Sequence, residues 1–414
     1  MKQLTIVGGG FAGVWAALAA ARQRERLGPG ASALAITLVS RDPWLTIRPR
    51  LYEASLEDVR VPLDAVLDPA GVERVEADVT GIDSAARTVA IGHGARADAI
   101  RYDRLVLAAG SRTSRPAIRG MEHAFGVDSF AEASALHAHV DSLAARSERA
   151  DAGRFSAVVV GAGFTGIEVA TTLIARLRAV AARAGAGGEA NVVVVERASV
   201  PAPDMGPAAR RHIERALATL GITVRTGRTV TAVGPNGVEL DGAEWIPAAT
   251  AIWTGGFRAS GLTALLPVEH DASGRLPVDE YLRVRGVPSV YAAGDVAAAR
   301  VDGSHLAPMS CQYAIPMGEV AGGNAVLDLF GAALEPFVPP PYVTCLDLGE
   351  AGALFTTGWE RDVKLAGHWA SVMKQTINRR LIYPPLRVER DAGAPASGAA
   401  QVRGDVASPA RSAA

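Results

Sequence analysis

An α/β fold of two doubly wound units, the second inserted into the first, is what this sequence predicts, and three observations predict it. The chain opens on an apolar β-prone run, Leu4-Thr5-Ile6-Val7, that breaks into Gly8-x-Gly10-x-x-Gly13 and then into Ala-rich helix formers reaching Ala21. The same order of strand, glycine turn and helix recurs at Ala157-Val158-Val159-Val160 and Gly161-Ala162-Gly163-Phe164-Thr165-Gly166-Ile167-Glu168. Another apolar strand, Val290-Tyr291-Ala292-Ala293-Gly294-Asp295, follows the second unit, where the chain returns to the first. Boundaries follow: a discontinuous unit at 1–125 and 270–335, an inserted unit at 150–260, a small region at 336–390 and a disordered Ala/Gly/Pro/Ser tail at 391–414.

In the first unit Gly8 permits the tight turn, Gly10 lets a pyrophosphate approach the backbone, and Gly13 lets the helix lie close to the strand. With the positive helix N-terminus beyond, a dinucleotide is expected there, and Phe11 and Ala12 between the glycines count among its contacts. The next strand, Leu34-Ala35-Ile36-Thr37-Leu38-Val39, ends in Ser40-Arg41-Asp42. A carboxylate at that strand end accepts both ribose hydroxyls of an adenosine. Ser40 offers a weaker contact, Asp42 comes two residues late, and Ser40 and Arg41 are taken as cofactor-binding.

The run Pro43 to Leu56 reads as a loop leading to a short helix. Arg48 and Arg50 are candidate phosphate partners there, against the commoner outcome of solvated surface arginines. Residues 71–91 alternate as in a small antiparallel sheet, with Val79 placed to face the adenine. Tyr102 to Ser111 is a buried strand whose end, Ala109-Gly110, admits a cofactor closely. Asp295 is read as an acceptor for a flavin polyol, with a helix N-cap as a compatible role.

In the second unit Gly161, Gly163 and Gly166 form the nucleotide turn, and the strand Asn191-Val192-Val193-Val194-Val195 ends in Glu196-Arg197. Glu196 is the ribose-hydroxyl acceptor the first unit lacks, and it repels a 2′-phosphate, so NADH is favoured over NADPH. Trp253-Thr254-Gly255-Gly256 closes the unit, with Gly255 at the cofactor.

At 414 residues, 49% hydrophobic and 21% charged, the chain should be globular with two or three cores. A net charge of −1 supplies no basic field for nucleic acid, so small-molecule or protein partners are expected. The two cysteines, Cys311 and Cys345, form neither a metal-ligand spacing nor the close pair of a redox disulfide. The uncharged stretch Leu4 to Ala21 has membrane-span length, but its four glycines belong to a nucleotide turn, and secretion is not expected. The expected location is the cytoplasm, including the inner face of the cell membrane.

Together with Leu51-Tyr52-Glu53, Ala108-Ala109-Gly110 and Gly294-Asp295, these motifs make the chain resemble the two-dinucleotide-binding-domain flavoproteins (Rossmann-type units). Among them it looks most like the type II NADH dehydrogenases, over roughly residues 3–350. The resemblance implies FAD on the first unit, NADH on the second, and hydride passing between them without a protein nucleophile. It also implies that Glu168 lies near the meeting point of the two rings. That glutamate is either a buried proton carrier or a helix-N-terminal acid favoured by the dipole.

The family's quinone-side motif corresponds to Cys311-Gln312-Tyr313-Ala314-Ile315-Pro316-Met317-Gly318. Gln312, Ala314 and Gly318 match, whereas Cys311, Pro316 and Met317 depart. Gln312 is therefore the candidate for orienting a quinone carbonyl, and a soluble reductase of a small electron carrier or a flavin redox sensor are the alternatives. Sulfide oxidation to a quinone needs a cysteine relay that two thiols do not build. Trp369, Val372, Met373, Thr376, Ile377 and Leu381 recur at helical spacing among Lys364, Lys374, Arg379 and Arg380, as in a basic interfacial helix or a docked C-terminal one. NADH, a quinone or other acceptor, a membrane surface and a second copy of the chain are the partners considered.

Overall fold

Lys2–Val7 is the middle strand of a five-stranded parallel sheet in the computed structural model, which describes residues 2–93, 96–145, 153–186 and 188–385. The expected tail at 391–414 lies outside the described residues. On one side Lys2–Val7 pairs with Leu34–Ser40 and then Glu73–Glu76, and on the other with Arg104–Leu107 and then Val290–Ala292. Glu73–Glu76 thus joins the main sheet, so the small antiparallel sheet read at 71–91 begins only at Asp78–Asp83, which pairs with Thr88–His93. Val290–Ala292 reaches this sheet after more than a hundred intervening residues form a second one. That sheet is four-stranded and parallel, with Ser156–Val160 between Asn191–Glu196 and Thr250–Trp253, and Thr223–Thr226 outermost. The two crossings between units run side by side, Ser111–Thr113 pairing antiparallel with Phe257–Ala259.

Among the described residues seven helices complete the layers: α1 (Phe11–Arg26), α2 (Leu63–Leu67), α3 (Phe130–Ser142), α4 (Phe164–Arg183), α5 (Gly206–Thr219), α6 (Cys311–Leu329) and α7 (His368–Thr376). α3 starts on a capping box in which the Ser129 hydroxyl accepts from Glu132 N–H while the Glu132 carboxylate accepts from Ser129 N–H. α1 and α6 pack backbone to backbone. A Cβ at Gly318 would come within 2.2 Å of Ala12 O and one at Gly322 within 2.1 Å of Ala16 O, so these glycines set the crossing. This gives Gly318, matched to a quinone motif in the sequence, a packing function.

One core lies around the first sheet, α1 and α6; a second lies under the inserted sheet against α4. The second core also takes in Leu346 and Leu354 of a C-terminal antiparallel sheet (Val343–Asp347, Ala353–Thr357, Asp362–Gly367), Leu348 in the connection after its first strand, and Tyr52 of the first unit. Tyr52, α4 and the C-terminal sheet therefore meet at one place.

Candidate functional site

The two glycine turns are built alike. Gly8 N–H donates to Val39 O at 2.9 Å and Gly161 N–H to Val195 O at 2.8 Å, fixing each turn over its neighbouring strand. A Cβ on Gly13 would stand 1.8 Å from Gly8 O, and one on Gly166 1.9 Å from Gly161 O, so only glycine lets either helix start this close to its strand. At Gly10 and Gly163 a Cβ would meet nothing within 4 Å. Each turn thus presents open space at a helix N-terminus, the feature a pyrophosphate needs.

Around the first turn, Gly8 and Gly110 both hold positive φ, and Gly8 lies against Ala108 O at the end of Arg104–Leu107, bringing Ala109-Gly110 beside the cradle. Ser40 is buried and its hydroxyl donates to Asp42 O, while the Asp42 carboxylate accepts Trp44 N–H. Arg41 is exposed, 3.6 Å from Asp78, and Val79 is half-buried at the edge of the first core. Phe11 packs on Trp15, and Ala12 underlies Gly294.

Asp295, just past the strand Val290–Ala292, is not an N-cap. Its carboxylate accepts the Ser111 hydroxyl at 2.6 Å and faces Arg48 at 3.9 Å, and burial raises it above the usual carboxylate range against the pull of both partners. Arg48 itself pairs with Asp128 on the first crossing and donates to Ser111 O, with the Phe257 ring of the second crossing 5.9 Å away. It ties both crossings to the first unit. Arg50 matches neither sequence expectation. It is buried, held by Glu53 at 2.9 Å, by the Tyr383 hydroxyl and by Asp58 O, which leaves a phosphate little of its guanidinium and removes it from solvent.

Around the second turn, the buried Thr254 hydroxyl donates to Val160 O at 2.9 Å beneath the glycines, and Gly255 adjoins Gly161. Glu196 ends its strand with Oε2 accepting Ala162 N–H at 2.7 Å and Oε1 accepting Ala198 N–H at 2.8 Å. The carboxylate is therefore fixed at the turn, with a lone pair left on each oxygen for a ribose hydroxyl.

Glu168 lies in the second turn of α4 and is buried. It is not the dipole-stabilised surface acid. Lys374 Nζ meets its Oε1 at 2.8 Å, and Asp347 N–H donates to the same oxygen at 3.0 Å. Burial pushes Glu168 up to about 7, against the opposing pull of Lys374 and the Asp347 amide, while the Asp347 charge pushes the same way as burial. Burial works to lower Lys374, and the Glu168 carboxylate more than offsets this. Lys374 is thus not one of the solvated cations of an interfacial helix. Ala370, Lys374 and Asn378 face inward at four-residue spacing, while Trp369 is 70% exposed and Val372 and Leu381 are also exposed. The sequence signal for Lys374 was this small and polar stripe opposite the apolar one.

α6, which carries the residues matched to the quinone motif, begins at Cys311. Burial pushes its thiol up to about 11, and both Cys311 and Cys345 are free. Gln312 Nε2 donates to Pro341 O at 2.8 Å. Pro316 sits inside α6 without a helix-bonding N–H, and Met317 is fully buried, so it does not face a pocket at the helix surface.

The family model described as pyridine nucleotide-disulphide oxidoreductase matches residues 2–318. This chain belongs to that family. The oxidoreductase is 49% identical over 391 residues to an NADH dehydrogenase-like protein of Mycobacterium tuberculosis, covering 94% of this chain and 96% of the relative. It is 27% identical to the type II NADH:quinone oxidoreductase of Staphylococcus aureus, covering 92% and 95%. Among solved structures NDH2 of Plasmodium falciparum superposes with a TM-score of 0.79 at 15% identity over 92% of this chain and 95% of that one, a likeness of fold. The two free cysteines of this oxidoreductase do not supply the disulphide in the family's name. Among the described residues no helix is long and apolar enough to cross a membrane.

Proposed function

We propose that this oxidoreductase binds FAD on the Gly8–Gly13 turn and NADH on the Gly161–Gly166 turn, and delivers electrons from NADH to a quinone. The residues fit FAD on the first unit: the volume at Gly10 is open, and Asp295 is a poorly solvated acceptor at the strand end. FAD, when bound, supplies the redox chemistry, taking two electrons from NADH and giving them to the acceptor. The chain's own residues do the rest. Glu196 orients the adenosine ribose of NADH and repels a 2′-phosphate, and Arg48 fixes the angle between the units that brings the two cofactors together.

The observation that carries the acceptor reading is Glu168. A quinone takes up two protons with its two electrons, whereas an iron–sulfur carrier takes electrons alone. A buried carboxyl held near 7 between Lys374 and Asp347 can give a proton and regain it at neutral pH, and only the quinone needs such a donor, because reoxidation by an electron-only carrier releases the proton the reduced flavin holds. Relatives named for NADH:quinone chemistry support the same reading. The exposed Trp369, Val372 and Leu381, flanked by Arg379 and Arg380, present an apolar surface with cationic edges, suited to peripheral contact with a quinone-bearing membrane.

Steady-state oxidation of NADH and NADPH by the FAD-loaded protein, with a short-chain quinone, ferricyanide and an iron–sulfur protein as acceptors, tests the proposal. NADH with quinone should be the fastest pair. Turnover with the iron–sulfur protein but not with quinone would replace the quinone by a carrier protein.

A further inference from the structure

Tyr52 belongs to the first unit, yet its hydroxyl reaches the C-terminal sheet and donates to Asp347 Oδ2 at 3.1 Å. Gly349 N–H holds the other oxygen, Oδ1, at 2.9 Å. The same residue, through its backbone N–H, touches Glu168. Asp347 is thus fixed at both carboxylate oxygens and joined to Glu168 by a third bond, in a cluster assembled from residues 51–54, α4, the strand Val343–Asp347 and α7.

The charges in this cluster do not balance. Glu168 and Asp347 are two carboxylates around one ammonium, Lys374, whose Nζ lies 5.6 Å from the Tyr52 ring centroid and 5.4 Å from that of Phe164. Glu53 faces the Tyr52 hydroxyl electrostatically but is taken up by Arg50, with Arg379 at 3.8 Å. The nearby thiols stay neutral, burial pushing Cys345 up to about 12 and Cys311 to about 11. The Tyr52 phenol is itself held well above its ordinary range by burial and by the surrounding carboxylates, so it acts as a neutral donor. The negative charge that weighs on Glu168 is therefore that of Asp347, and the Tyr52 hydroxyl moderates it.

We propose that Asp347, steered by Tyr52, is a positioning residue whose charge adds to burial, against the pull of Lys374 and of its own amide, in holding a proton on Glu168. The inference rests on the reading of Glu168 as the proton donor to the acceptor. Removing the Asp347 charge should make Glu168 easier to ionise. Removing only the Tyr52 hydroxyl leaves that charge less shared and should make Glu168 harder to ionise. A purely structural contact would not give shifts of opposite sign.

Infrared titration of the FAD-loaded protein reads this directly, following the protonated-carboxyl band that Glu168→Gln removes. Asp347→Asn should move its midpoint down and Tyr52→Phe should move it up, each from a wild-type midpoint of about 7. The alkaline limb of flavin reoxidation by a short-chain quinone should move with it, while reoxidation by ferricyanide, which releases the flavin's proton and needs no donor, should not. An unmoved midpoint in Asp347→Asn, or shifts of the same sign in both variants, overturns the proposal; should Asp347→Asn fail to fold, the sign of the Tyr52→Phe shift decides. Shifts as expected in a protein that reduces no quinone would leave the positioning intact and remove the quinone reading, and normal quinone turnover with an unmoved midpoint would do the reverse.

Discussion

Replacing Lys374 by Ala removes the ammonium from a buried carboxylate, and its cost should depend on pH. The fold raises Glu168 from its ordinary 4.5 to about 7, so the folded protein binds more protons than the unfolded chain between those values, and this group's contribution to stability falls as pH rises through them. Without Lys374 the carboxyl rises further and the loss extends to higher pH. Thermal or denaturant unfolding should show a penalty of about 3–5 kcal/mol at pH 8, where an unpaired charge would be buried, and a smaller one at pH 5.5; an equal penalty at both would contradict the pairing. At the Gly161–Gly166 turn, Glu196→Ser should narrow the preference for NADH over NADPH by about 1–3 kcal/mol, read as the ratio of kcat/KM for the two cofactors. Both glycine turns and Glu196 were legible in the sequence, because backbone constraint and strand-end position are local. The partners of Glu168 were not. Lys374 is separated from it by 206 residues, and the stripe Ala370, Lys374 and Asn378 marks a second face of α7 without fixing which face docks.

In α6 several residues of one sequence motif serve packing. The motif Cys311 to Gly318 pointed to an acceptor site, yet Gly318 and Gly322 serve the contact with α1, Met317 is in the core, and Gln312 is bonded to Pro341 O. Gly318→Ala would force its Cβ into Ala12 O and should cost about 1–3 kcal/mol, with FAD released more readily because α1 carries the first cradle. Gly323→Ala, where a Cβ meets open space, should leave FAD retention unchanged and not lower the melting temperature. Melting temperature and bound-flavin absorbance after gel filtration check both. For α7 the amphipathic pattern was legible but its orientation was not. Ala370, Lys374 and Asn378 face in, and Trp369, Val372 and Leu381 face out. Trp369→Ser with Val372→Ser should lower cosedimentation with anionic lipid vesicles and leave turnover with a water-soluble quinone unchanged. Unaltered cosedimentation would contradict membrane contact through this face.

Across the whole molecule, the doubling of the strand, turn and helix unit predicted two parallel sheets, and the structure has them, with Val290–Ala292 returning to the first. Less legible was the convergence of Tyr52, Glu168, Asp347 and Lys374, since each comes from a different part of the chain and meets the others only when both units and the C-terminal sheet are in place. On the proposed reaction, electrons from NADH leave through this chain to a quinone. Anaerobic double-mixing stopped flow tests it most directly: the FAD-loaded protein is mixed first with one equivalent of NADH, then with a short-chain quinone, while flavin absorbance is followed. Rapid bleaching and then recovery of colour at a rate proportional to quinone concentration is the expected result; bleaching by NADH followed by a recovery that quinone does not accelerate would contradict the account.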